Sequence, residues 1–235
     1  MSCQTQLEIA DRLKRVEERI AEALARSGRT GQRVRILAVT KTFSRAVADE
    51  ALKAGLELFG ENRVQEAEAK FNSPPFAAEL HLIGHLQTNK VKKAAQLFHC
   101  IQSIDKLKTA EELNRAAEGL NKKLDILLQL NTSGEATKSG YPTQEALRRD
   151  LEAILKLKSL RLMGLMTIGP LTDDEKSIRS AFQRLKKLYN ELVTERILPP
   201  NAILSMGMSG DFELAVEEGA NLVRLGTALF GVREA

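Results

Sequence analysis

The chain has 235 residues, of which 43% are hydrophobic and 28% charged, and its net charge is +4. That is ample apolar material for a packed core, and the length fits one or two domains or a single large barrel. Aromatics make up only 4%, with no Trp, which argues against a stacking platform for single-stranded nucleic acid. The two cysteines, Cys3 and Cys100, supply neither a disulfide framework nor a zinc ligand set, so a reducing compartment is expected. The first residues, MSCQTQLEIADRLKR, contain no apolar signal core, and no apolar run approaches the roughly 20 residues of a membrane helix. A cytoplasmic protein is therefore expected. The mild positive charge admits anionic ligands without requiring nucleic acid.

In chain order, Leu7, Ile9, Ala10, Leu13, Val16, Ile20, Ala23 and Leu24 recur at helical spacing. They predict one amphipathic helix over about 4–27, ended by Ser27-Gly28. Eight short apolar runs follow: Val34–Val39, Leu56–Gly60, His81–Gly84, His99–Ser103, Asp125–Leu130, Arg161–Met166, Ala202–Met206 and Asn221–Leu225. They are apolar on both faces, as parallel strands covered on both sides must be. Helices with start signals lie between them. Ser44 precedes RAVADEALKAG, and Asp105 precedes KLKTAEELNRAAEGL. Thr172-Asp173-Asp174-Glu175 reads as a capping box before a helix reaching about Arg196, and Ser209-Gly210-Asp211 opens FELAVEE. A doubly wound open sheet also alternates in this way. Eight strands in about 200 residues favour a single (β/α)8 TIM-type barrel over about 34–231, carrying an extra N-terminal helix. No linker divides the chain, so residues 1–235 are read as one domain.

In such a barrel the active site lies at the C-terminal ends of the strands. After the first run comes Lys41, whose amine, if desolvated, can attack a carbonyl. Asn62 follows the second run and His85 the third. His81 and His99 stand at strand starts, the end that serves stability. After the fifth run the polar stretch Asn131 to Tyr141 reads as a mobile loop, and Met166 after the sixth reads as core. After the seventh, Ser209 and Gly210 offer a hydroxyl and backbone N–H groups at a helix start, an anion site. After the eighth, Arg224 and Gly226 sit two apart and so face one side, with Thr227 next. Loops after strands seven and eight often bind phosphate. No phosphate-binding P-loop, dinucleotide fingerprint or metal cluster is present. A carbonyl-seeking Lys, a phosphate cup and an Arg suit pyridoxal 5′-phosphate (PLP), or an aldolase acting on a sugar phosphate.

The chain also resembles the pyridoxal phosphate homeostasis proteins, which share the barrel of the alanine racemase N-terminal domain. The likeness lies in LAVTK at Leu37–Lys41, FGENRVQE at Phe59–Glu66, HLIGHLQTNK at His81–Lys90 and SGEATKSG at Ser133–Gly140. It continues through GLMTI at Gly164–Ile168, SMGMSGDFELAVEEGA at Ser205–Ala220 and VRLGTALFG at Val223–Gly231. The resemblance implies that Lys41 forms an aldimine with PLP and that Arg224 faces the pyridine nitrogen. It further implies that Ser209, Gly226 and Thr227 bind the phosphate with a Gly210 N–H, and that Asn62 and His85 lie beside the ring. It assigns no role to Glu135 or Lys138 beyond a loop near the cofactor. The family racemases take a second base, a Tyr, from a further domain; Tyr141 and Tyr189 match no such residue, and the chain stops ten residues after the eighth run. The expectation is thus a monomeric carrier that buffers PLP and passes it to apo-enzymes, affecting amino-acid and keto-acid balance. A slow racemase or other PLP enzyme is the competing reading. A basic-surface interaction protein is another, built on Lys92-Lys93, Arg148-Arg149 and Lys186-Lys187, although these pairs read as solvated faces.

Overall fold

Strands that are apolar on both faces need cover on both sides, and closure into a barrel supplies it. The computed structural model describes residues 2–135 and 138–231, with side chains from Gln6 onward. The Cys3 side chain and Ala136-Thr137 of the loop after the fifth strand lie outside the described residues. The strands are β1 (Arg35–Val39), β2 (Leu58–Glu61), β3 (Glu79–Leu82), β4 (Cys100–Ile104), β5 (Leu124–Gln129), β6 (Leu160–Met166), β7 (Ile203–Ser205) and β8 (Leu222–Leu225). All pair in parallel with their sequence neighbours, and β8 returns to β1 to close the sheet. The expected barrel is therefore the observed one.

Side chains alternate between two cores. Leu37, Val39, Leu58 and Leu222 pack together inside the barrel, whereas Ala38, Phe59, Leu80, Leu82, Val223 and Leu225 join the layer beneath the helices. A bulge in β6 breaks the strict period. Gly164 there has φ +154°, and a Cβ on it would lie 1.9 Å from the Ile203 carbonyl oxygen. Only glycine fits that approach. The bulge lets Met163 and Met166, three residues apart, both join the interior cluster with Cys100 and Leu127.

Several boundaries move. β3 starts two residues earlier than expected, because Leu80 and Leu82 face the helices. His81 consequently lies inside the barrel rather than at a strand start, while His99 stays at the bottom, accepting the Leu80 N–H at 3.0 Å. Ser44 caps α2 (Arg45–Lys53) as expected, but Asp105 does not cap α5 (Leu107–Gly119); its carboxylate turns to His85 instead. The cap of α7 (Glu175–Thr194) is Asp174, not Thr172: its carboxylate accepts the N–H groups of Lys176 and Ser177.

The extra helix α1 (Ser2–Arg26) buries Ile9, Val16, Ile20, Ala23 and Leu24 against the barrel's outer layer. Its Arg19 grips Glu213 of α8 (Phe212–Glu217) with two hydrogen bonds of 3.0 and 2.7 Å and lies over the Phe212 ring. It also packs on α9 (Thr227–Phe230), so it braces the two short helices that follow β7 and β8.

The barrel floor carries two ion pairs, Arg35–Glu79 (3.0 Å) and Arg161–Asp125 (2.6 Å). Glu79 accepts hydrogen bonds from His81 and Arg35, and these hold its carboxyl down at about 2 against a usual 4.5. A depressed carboxyl stabilises the fold above its unfolded pKa, and that stability is lost as pH falls toward the folded value. Urea midpoints of the protein should therefore fall as pH drops from about 4.5 toward 2. Glu79→Gln should be less stable near neutrality and show a shallower fall across that window.

Candidate functional site

The inward face of β1 runs Arg35, Leu37, Val39 and ends at Lys41, in the mouth. The chain on either side of Lys41 is pinned from the outer layer. Thr40 donates its hydroxyl to Glu61 Oε1 (2.7 Å), and Lys70 Nζ donates to the Thr40 carbonyl (2.7 Å), to Glu61 (2.8 Å) and to Glu66 (3.3 Å). The Thr42 N–H, on a residue with φ +69°, donates to Glu66. Burial pushes the Glu61 carboxyl up, against the opposing pull of Lys70 and Thr40. This cluster fixes the backbone, while among the described residues the Lys41 amine itself makes no hydrogen bond or ion pair.

Asn62 and His85 reach the same mouth from β2 and β3. Their loops touch at Gly84, where an added Cβ would lie 2.2 Å from the Asn62 carbonyl oxygen. Ser103 holds that turn from β4, donating its hydroxyl to the Gly84 carbonyl at 2.7 Å. His85 Nδ1 lies 3.2 Å from Asp105 Oδ2, which orients the ring.

Arg224 is buried, with 3% of its surface exposed. Its Nη1 donates to Ser205 Oγ and its Nη2 to the Thr167 carbonyl, each at 2.7 Å. Burial pulls the guanidinium down to about 10, with Asp211 opposing. Ser209 does not cap α8. Its Oγ accepts the N–H groups of Gly226 (3.2 Å) and Ala228 (3.1 Å) instead, tying the two loops together. With six residues in α8 and four in α9, a helix dipole contributes little there, and the backbone N–H groups themselves must carry any anion affinity. A Cβ on Gly210 would meet nothing within 4 Å, so its backbone is open to a ligand.

Lys41, Asn62, His85, Ser209, Gly210, Arg224, Gly226 and Thr227 all line one cavity of about 750 Å³. That volume is within the range of small-ligand sites. Lys138 lines it too, donating to the Gly169 carbonyl (2.9 Å) and pairing with Glu135 (2.7 Å). Sequence reasoning missed the apolar walls Val39, Ile83, Ile168 and Met208, and also Gln129, which donates to the Ser139 carbonyl. It missed the layer below as well: Ser205 under Arg224, and Gln102 and His81 beneath that. The available signal was strand parity, since Gln102, Gln129 and Ser205 are polar residues within apolar runs. Met166 is core, as expected. An amine, a guanidinium and a cup of N–H donors thus face one space, able to hold a ligand bearing a carbonyl, an acceptor atom and an anionic group.

Residues 12–234 match the family model of the alanine racemase N-terminal domain. The chain is similar to the pyridoxal phosphate homeostasis protein of Aquifex aeolicus, at 41% identity over 95% of this chain and 98% of that one. It is equally similar to that of Pseudomonas aeruginosa, at 41% over 96% of each. Among solved structures it resembles an unknown protein from Bifidobacterium adolescentis, with TM-score 0.87, 37% identity and coverage of 97% and 96%. It also resembles PipY of Synechococcus elongatus with PLP bound, with TM-score 0.76, 36% identity and coverage of 90% and 100%. An alanine racemase of Clostridium difficile shares the fold alone, with TM-score 0.76 at 17% identity; the match covers 96% of this chain and 60% of that one.

The contact at Gly84 generates a prediction. Gly84→Ala should force the Asn62 turn away from the mouth and cost about 1–3 kcal/mol in urea denaturation, as overpacking does. An unchanged urea midpoint would show that the approach of the two loops is not tight.

Proposed function

The chain belongs to the family of pyridoxal phosphate homeostasis proteins, and on that footing we propose that its barrel mouth binds PLP and that the protein buffers and hands on the cofactor. The observation that carries this reading is the convergence of Lys41, Arg224 and the Ser209–Gly226 cup on one cavity. The donor set fits the cofactor's three functional ends. When bound, PLP supplies an aldehyde and an electron-withdrawing pyridine ring. The Lys41 amine, held at the mouth by its pinned backbone and with its Nζ uncommitted among the described residues, is the group that would take the aldehyde covalently. The hydroxyl of Ser209, Thr227 and the backbone N–H groups of Gly210 and Gly226 would hold the phosphate. Asn62 and His85 would flank the ring.

Arg224 sets the character of the site. A guanidinium donates hydrogen bonds and accepts none, so it holds the ring nitrogen unprotonated and lessens the ring's capacity as an electron sink. Efficient proton exchange on a substrate would then need well-placed bases on both faces. Neither tyrosine supplies one: Tyr141 donates its hydroxyl to Asp150 (3.0 Å) and Tyr189 to the Ala202 carbonyl (2.9 Å), both within the packed layers. These features support a carrier over a racemase. A single cytoplasmic domain, acting as a monomer that passes PLP to apo-enzymes, completes the reading. No helix among the described residues is long and apolar enough to cross a membrane. One member of each basic pair is occupied locally: Lys93 with Glu68, Arg148 with Glu191 and Glu195, and Lys186 over the Tyr189 ring.

The purified protein loaded with PLP should show a visible absorption band, and borohydride should fix the label on Lys41. Lys41→Ala should lose both band and label. A label on another lysine would overturn the assignment of Lys41. Turnover of L- to D-amino acid well above that of free PLP, removed by Lys41→Ala, would overturn the carrier reading in favour of a racemase.

A further inference from the structure

The cofactor reading uses Arg224 but none of the polar groups buried beneath it. Those groups form an unbroken chain down the barrel axis. Arg224 Nη1 meets Ser205 Oγ at 2.7 Å, Ser205 Oγ meets Gln102 Oε1 at 2.7 Å, and Gln102 Nε2 meets His81 Nδ1 at 2.7 Å. His81 Nε2 meets Glu79 Oε1 at 2.8 Å, and the other Glu79 oxygen holds Arg35 at the floor. Ser205, Gln102 and His81 are fully buried.

The ends of the chain dictate its polarity. A guanidinium only donates and a carboxylate only accepts. Between them one arrangement leaves every group satisfied: each member donates downward, from Arg224 through Ser205 and Gln102 to His81, and His81 carries its single proton on Nε2 toward Glu79. A second proton on His81 would put an N–H at Nδ1 against the amide N–H of Gln102. Turning that amide over would relieve the clash, but would then aim two N–H donors at Ser205 Oγ and leave the serine hydroxyl with no acceptor in the chain. Burial lowers the His81 pKa, which favours the neutral ring that the geometry requires.

The guanidinium plane of Arg224 rests on two points, Thr167 on one terminal nitrogen and Ser205 on the other. The Thr167 carbonyl is fixed by the backbone. The Ser205 hydroxyl can rotate, and only the groups below it hold its lone pair toward Arg224. We propose that His81 is a positioning residue for Arg224, acting through Gln102 and Ser205 from the opposite half of the barrel. The last link, from Arg224 to a cofactor ring, rests on the reading of the cavity as a PLP site; the chain from Glu79 to Arg224 lies wholly within the protein.

Two measurements test the proposal on the full chain. Without cofactor, nitrogen-15 NMR reads hydrogen exchange at the Arg224 guanidinium. With PLP, the visible band and the rate of PLP release read the ring environment. His81→Phe removes both of the ring's hydrogen bonds, and Gln102→Leu cuts the chain one step nearer. Both should speed guanidinium exchange about tenfold, shift the bound PLP band and quicken release. His81→Asn keeps a carbonyl acceptor for the Gln102 N–H and should remain within about threefold of the parent protein. Should His81→Phe fail to fold, as judged by circular dichroism, the comparison of Gln102→Leu with His81→Asn decides the question. Parent-like exchange in Gln102→Leu would overturn the relay, and so would an equal loss in His81→Asn and His81→Phe. A parent protein that takes up no PLP would overturn the cofactor reading instead, and the exchange rates measured without cofactor would still decide the relay.

Discussion

The site depends on one constraint, the two-residue period of strands closed into a parallel barrel. On β1 the inward positions are Arg35, Leu37, Val39 and Lys41: a floor charge, two wall residues and the amine at the mouth. On β3 they are Glu79, His81, Ile83 and His85; on β8 they are Leu222, Arg224 and Gly226. A slip of one residue would send every member to the other face. It would place Thr40 in the mouth and bury the Lys41 amine among helices. The outer layer guards against this slip with polar contacts as well as apolar packing. Thr40, Glu61 and Lys70 are hydrogen-bonded to one another, so the neighbours of Lys41 are committed outward.

A second constraint is electrostatic. Burying a guanidinium is costly unless its donors are satisfied. Arg224 meets that demand with neutral acceptors, a hydroxyl and a carbonyl, rather than with a carboxylate in contact. Asp211 acts on it only at longer range, and burial still draws the guanidinium down to about 10. The positive charge therefore stays largely uncompensated inside the mouth. Such a field suits an acceptor atom or an anion entering the cavity. It also explains why an axial chain of neutral polar groups is retained in a core where apolar side chains would otherwise pack more cheaply.

Much of this was legible in the sequence. Apolar runs, helix starts and the family motifs marked all eight strands and eight residues that line one cavity. What escaped follows a pattern. His81 reads as a residue at a strand start because the apolar run begins there, at His81–Gly84; two residues more at the beginning of the strand turn the imidazole into the barrel. Ser209 reads as an anion-site hydroxyl at a helix start, but that hydroxyl is claimed by N–H groups of the loop after β8, nearly twenty residues on in the sequence. Asp105 reads as a helix start signal, but its partner His85 lies in the loop after a different strand, β3. Local propensity found the elements; contacts between strands, which no local pattern encodes, decided what each polar group does.

The Ser209 contacts bear on how a carrier releases what it holds. Its Oγ accepts N–H groups of Gly226 and Ala228, the donors that a phosphate at this cup would seek. Backbone donors left unpaired at such a site would make departure of an anion expensive. Here a hydroxyl oxygen of the same chain already satisfies them, so ligand binding exchanges one set of hydrogen bonds for another. The two N–H groups converge on one point, and the Ser209 hydroxyl must turn off them for an anion to take its place. A site required to bind a cofactor and also to give it up gains from that near balance, whereas an enzyme retaining its cofactor through many turnovers would gain from the opposite. The serine thus serves the exchange reading through its position between two loops, where its hydroxyl takes up the N–H groups that a departing anion gives back.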